Sequence, residues 1–209
     1  MRYGLEVLMP FLERNNSSSA IFKITLCTSN ITHFFNNQTA VIYKVMNLKN
    51  VDEKVFQPLG LKLSNVEEDM ESKDYSGCSF MLDGLNIKFR TSKITPTKTG
   101  QFVTLWKRDE KGETTPFDSR DKFDFYMISA SKDHDKGIFI FPKDVLIEKG
   151  IVSHEKKNGK RGIRVYPNWD LTESKQAEAT QKWQREYFLD LSKDKDSYLQ
   201  KAKVLFDLK

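Results

Sequence analysis

The chain has 209 residues, 38% hydrophobic and 30% charged, with a formal net charge of +5. That is enough to bury one sizeable core, and no stretch approaches the ~20 apolar residues of a membrane helix. With two cysteines far apart (Cys27 and Cys78) and three scattered histidines (His33, His134, His154), the sequence offers neither a disulfide framework nor zinc-ligand spacing.

The opening MRYGLEVLMPFLERNN does not read as an export signal, because Glu6 interrupts the apolar run. A cytoplasmic location without membrane attachment is the expectation. Residues 1–45 are rich in Asn, Ser and Thr, with one alternating stretch at Ala20–Leu26 that suggests a strand. They read as an appended segment, and residues 46–209 as a single domain. NVDEKVFQPL (50–59) predicts a short helix ended by Pro58 and Gly60. VEEDMESKD (66–74) is an acidic surface segment. CSFML, Asp83-Gly84 and LNIKFRTSK predict a hairpin, since an Asp-Gly pair tolerates the positive φ of a two-residue turn.

QFVTLWKR predicts a further strand. FDFYMISA (123–130) and GIFIF (137–141) are apolar at nearly every position, as strands covered on both faces are. Pro142 and Gly150 bracket a short helix, PKDVLIEKG. GIRVYP (162–167) is one more strand. TESKQAEATQKWQREYFLDL then predicts a helix capped by Thr172, with its stripe on Ala177, Thr180, Trp183, Tyr187 and Leu191. DKDSYLQKAKVLFDL closes the chain as another helix. The order predicts an α/β (α+β) domain, a mixed central sheet flanked by helices.

Charge is unevenly placed. Residues 1–84 carry 8 basic and 10 acidic side chains, residues 85–170 carry 18 and 12, and residues 171–209 carry 8 and 7. The positive middle suggests a polyanion partner, although a merely solubilising surface has the same composition. Two basic stretches stand out. Lys88, Arg90, Lys93 and Lys98 lie on a strand and its exit among several threonines. Lys156, Lys157, Lys160 and Arg161 lie on a Gly-hinged loop followed by Arg164, Tyr166 and Trp169. Cations beside hydroxyls suit phosphates, and aromatics suit unstacked bases. An ordinary solvated turn and core aromatics are the alternatives for the second stretch.

RTSKITPTKTGQFVTLWKR, PFD, FPKDVL, GKRGIRVYPNWD and QAEATQKWQREYF, in this order, resemble the MepB-like family from about Phe56 to Leu191. The resemblance implies a restriction-endonuclease-like PD-(D/E)XK core, nucleic-acid binding and a degenerate nuclease site. In that pattern Asp124 matches the first carboxylate and Lys143 the lysine, but Phe141 stands where the second carboxylate belongs. Phe141 cannot ligate metal, and Glu53 is an accessory acid at most. Asp124 otherwise reads as a buried carboxylate paired with Arg90 or Lys143, and Lys143 as an exposed first-turn lysine.

Three functions stay open. The leading one is binding of DNA or RNA, single strands included, with little sequence specificity, no cofactor and no cleavage. The second is a Mg²⁺-dependent nuclease with a rearranged site. The third is a regulatory module for a small molecule or a protein. The sequence does not fix an oligomeric state.

Overall fold

The computed structural model describes Met46–Leu208; the strand expected at Ala20–Leu26 lies outside the described residues, as does all of 1–45. Helix α1 (Met46–Val51) runs on as a π-helical turn over Asp52–Phe56 and a 3-10 turn over Gln57–Leu59. Pro58 ends the regular helix, and Gly60 takes the left-handed conformation (φ 73°) that stops it.

A six-stranded sheet follows, in the order β1 (Leu63–Glu68), β2 (Cys78–Leu82), β3 (Leu85–Thr91), β8 (Phe125–Lys132), β9 (Asp135–Pro142), β11 (Phe188–Asp190). Its neighbours are antiparallel except β3 and β8, which are parallel. The sheet is therefore mixed, as the element order predicts. The β2–β3 hairpin turns through Asp83 (φ 47°) and Gly84 (φ 88°), the two successive positive φ angles of a type I′ turn.

The apolar runs of β8 and β9 have a simple cause. Met127, Ile138 and Ile140 face a cluster closed by Val55 and Phe56 of the first helix and by Tyr198 and Ala202 of the last, α4 (Lys195–Leu205). Tyr126, Ile128, Phe139 and Phe141 face a second cluster on the opposite side. Alternation along a strand sends successive side chains to opposite faces, so a sheet covered twice is apolar at every step.

The second face is covered by a three-stranded antiparallel sheet in the order β10 (Gly162–Val165), β5 (Lys98–Thr104), β4 (Lys93–Thr95), through Val103, Ile163 and Val165. Helix α2 (Lys143–Glu148) adds Leu146, and a small pair, β6 (Trp106–Arg108) with β7 (Thr114–Pro116), follows β5. The Ser92 hydroxyl ties the two sheets, donating to the Gln101 side chain (2.7 Å) and the Ser129 carbonyl (3.0 Å).

Two expectations change and one gains detail. The acidic stretch 66–74 lies on the surface apart from Val66 and Ser72, and what the sequence did not give is its structure, the end of β1 and then a 3-10 segment over Met70–Tyr75. The helix after Pro167, α3, spans only Lys175–Gln184, is capped by Ser174 rather than Thr172, and gives way to a 3-10 turn and then β11. Its fully buried residues are Ala177, Gln181 and Gln184, while Trp183 and Tyr187 of the expected stripe are half-buried against Phe141. The glutamines replace apolar packing with hydrogen bonds. Gln181 Nε2 donates to the Pro167 and Asp170 carbonyls (both 2.9 Å). The Gln184 amide accepts from Tyr166 N (2.9 Å) and donates to Arg164 O (3.0 Å) along the free edge of β10. Buried amides are tolerated when paired in this way.

Candidate nucleic-acid interface

The residues matched to the nuclease pattern do not converge on one metal site among the described residues. Asp124 sits just before β8 and is exposed, not buried. It pairs with neither Arg90 nor Lys143; its carboxylate accepts from Asn86 N (2.7 Å) and Asn86 Nδ2 (3.3 Å). Lys143 lies across the ladder, with its backbone N–H on Asp124 O (2.9 Å), but its ammonium donates to Asp121 O (2.6 Å) and sits 5.1 Å from the Phe123 ring centroid. Phe141 is buried, stacked on Phe139 at 5.4 Å. Glu53 is turned to Lys49 (3.5 Å) on its own helix. Among the described residues no three His, Cys, Asp or Glu side chains converge as a metal site needs. The donor set does not fit Mg²⁺, which is held through carboxylates.

The first basic stretch divides, with Lys88 and Arg90 turned inward and Lys93 and Lys98 exposed. Lys88 and Arg90 share a face of β3, as alternation requires, but that face is the one covered by the second sheet. Arg90 is 1% exposed. Its guanidinium pairs with Asp69 and donates to Phe89 O (3.0 Å). A Cβ added at Gly77 would lie 2.6 Å from Arg90 Nη1, so a glycine there admits the guanidinium. The expectation that Arg90 contacts nucleic acid is corrected: no face of it is left. Lys88 is half-buried, bonded to Ser79 Oγ (2.8 Å), and desolvation holds its pKa below the usual lysine value. Lys93 is exposed, its ammonium 4.6 Å from the Tyr75 ring centroid.

Of the remaining expected residues, Lys98, Lys160, Arg164, Tyr166 and Trp169 gather around one open groove between the small sheet and the start of α3. It has two adjoining parts, of about 660 and 530 Å³, that share Lys98, Arg164, Tyr166, Ser174 and Ala177. The smaller part is lined by Lys98, Lys149, Lys160 and Arg164 and by no acidic side chain. Lys98 and Lys160 have no ion-pair partner among the described residues, whereas Lys149 is 2.8 Å from Glu148. Arg164 holds the floor rather than a ligand. Its Nη1 reaches the carbonyls of Lys98, Thr99 and Gly100 (3.2, 3.3 and 2.9 Å), and Nη2 reaches Thr95 Oγ1 (2.6 Å).

The larger part adds Trp169, Lys132, Asp170 and two apolar lips, Ile94 at 59% and Leu171 at 86% exposure. Tyr166 lines both parts, and its ring lies against Gly100, where a Cβ would stand 2.5 Å from Cε1. Gly100 also has φ 81°, so glycine is required twice over. Trp169 is partly core, edge-on to Phe188 at 5.3 Å. Lys156 and Lys157 are exposed in the tight turn closed by the His154–Lys157 bridge, and Arg161 Nε donates to Thr114 O (2.8 Å). None of these three lines the groove.

Sequence reasoning missed Lys132, Lys149, Ile94, Asp170 and Leu171. Lys132 and Lys149 close a strand and a helix, positions that carry no signal alone. Leu171 had one, a bare leucine in a polar stretch before a helix.

The MepB-like family model matches residues 69–190. This chain belongs to the MepB-like family. Among solved structures, the crystal structure of MepB is 36% identical, with a TM-score of 0.62 over 63% of this chain and 89% of that one. A more distant likeness, 13% identical with a TM-score of 0.36, is to the bacterial homing endonuclease I-Ssp6803I, over 82% of this chain and 93% of that one. No curated protein matches. No helix among the described residues is long and apolar enough to cross a membrane.

Proposed function

We propose that this MepB-like protein binds single-stranded nucleic acid, DNA or RNA, in the groove between the small sheet and α3, and does not cleave it. The observation that carries this reading is the division of labour in the groove. The smaller part offers lysines and no acid; the larger adds Trp169 and exposed apolar lips, together with Lys132, Asp170 and Glu173, to the Tyr166 that both share. Phosphates are held by the first kind of surface and unstacked bases by the second. A duplex keeps its bases stacked inside and would leave Ile94 and Leu171 in water. Phe141 in the core, and Asp124 facing Asn86 rather than another carboxylate, support a reading without cleavage.

Fluorescence anisotropy of labelled oligothymidine, RNA and duplex DNA, read against salt, tests the reading. The Lys98→Ala/Lys160→Ala variant is expected to bind single strands about tenfold more weakly and to lower the slope of log K against log salt by roughly 1 to 2. Unchanged affinity and slope would remove the groove as the site. Cleavage in Mg²⁺ or Mn²⁺ that disappears in Asp124→Asn would replace the binding reading with the nuclease one.

A further inference from the structure

The larger part of the groove contains something a phosphate site should not have. Asp170 is 7% exposed, lines this part, and has an oxygen, Oδ2, without a hydrogen-bond partner among the described residues. Its other oxygen is 3.6 Å from Lys132 Nζ, and Lys132 lines the same part. The neighbouring Trp169 Nε1 is also without a partner. A buried polar atom left unpaired costs about 1–3 kcal/mol, so such atoms ask for an explanation. The backbone here is well held, with Asp170 N donating to Pro167 O (3.0 Å) and Asp170 O accepting from Gln181. The carboxylate is thus carried on a pinned loop next to Trp169, in the part of the groove that Ile94, Leu171 and Glu173 also line.

We infer that this part of the groove selects guanine over the other bases of a bound single strand, with the Asp170 carboxylate as the reader. The inference rests on the single-strand reading above and narrows it. An ionised carboxylate only accepts hydrogen bonds, and its two oxygens match two N–H groups side by side. Guanine alone presents such a pair on its pairing edge, N1–H and N2–H, with the O6 acceptor next to them for the Lys132 ammonium. Adenine and cytosine offer a single exocyclic amine beside an acceptor. Thymine and uracil offer one N–H between two carbonyl oxygens, which a carboxylate repels. Single strands are read on this edge because nothing else pairs with it. Oδ2 is closed off from solvent at rest, so reading the base requires the carboxylate to turn about its broad terminal torsion and present both oxygens to the groove. Burial already holds the Asp170 pKa above the usual carboxylate value, so water satisfies this group poorly and a donor pair gains correspondingly more.

The test is anisotropy with short oligothymidines carrying one central guanine, inosine, adenine or cytosine. The guanine strand is expected to bind about tenfold tighter than the adenine, cytosine and all-thymine strands, with inosine, which lacks N2–H, in between. In Asp170→Asn the guanine-to-thymine ratio falls towards one, because an amide replaces one acceptor by a donor. Lys132→Ala, which leaves the carboxylate in place, lowers the ratio partway by removing the O6 donor. Equal binding of all strands by the unaltered protein would overturn base selection and leave the groove reading standing. Loss of binding to every strand would overturn both. A guanine preference that survives Asp170→Asn in folded protein would overturn the role of the carboxylate.

Discussion

Two basic regions that look alike in the sequence have opposite fates. On the covered face of β3 the cations are absorbed, Arg90 by Asp69 and Lys88 by Ser79, while Lys93 just beyond the strand stays exposed. Around the groove, Lys98 and Lys160 are left open. The difference is not in the density of Lys and Arg but in what covers the strand. A second layer over β3 forces each cation to find a partner, because an unpaired buried charge is too costly. The rim of that same layer faces water and imposes no such demand.

The sharpest way to break this contrast is Asp69→Ala. It leaves the Arg90 guanidinium buried and unbalanced, and a loss of about 3 kcal/mol of stability is expected in urea or thermal unfolding, without weaker binding by the folded fraction. Alkali acts on the same interior. Burial pushes the Cys78 thiol and the Tyr126 phenol up to about 12, from 9.0 and 10.0. Each acid is ionised in the unfolded chain before it is in the folded one. Stability is therefore full below about pH 9 and falls as pH rises towards 12, by up to about 1.4 kcal/mol per pH unit for each group. Tyr126→Phe should flatten the fall above pH 10, and an unchanged curve would mean that the phenol is not desolvated.

On the groove side, the loop quartet can be divided. Replacing Lys156, Lys157, Lys160 and Arg161 together by Ala should weaken binding by about tenfold or more. Lys160→Ala alone should account for more of that than Lys156→Ala and Lys157→Ala combined, since only Lys160 lines the groove. The smallest effect is expected from Lys88→Met. Stability and affinity should both stay within about 0.5 kcal/mol, the range of a substitution that removes no essential contact. A tenfold loss of affinity there would erase the distinction between the two regions.

Much of the fold was legible in the sequence. Asp83-Gly84 announces its hairpin, the apolar runs of β8 and β9 announce a sheet covered twice, and Gly150 stops α2 where expected. What escaped was non-local. Nothing in LNIKFRT tells that residues 70–75 and the small sheet will close over Arg90. The glutamines of α3 look like surface residues until the free edge of β10 is placed beside them, and FLD looks like the tail of a helix until β9 offers it a ladder. For the site, Lys98, Lys160, Arg164, Tyr166 and Trp169 were read and do meet, although Arg164 supports the floor. The carboxylate beside them was not read, because a single Asp before a helix start resembles an ordinary turn.

The amide of Gln184 has a consequence for how wide the cleft can be. It rivets the last turn of α3 to β10 on both a carbonyl and an N–H, so the two walls cannot drift apart independently. The gauge of the channel is set before any ligand arrives, so a ligand meets a slot already cut to thickness instead of one it must prise open.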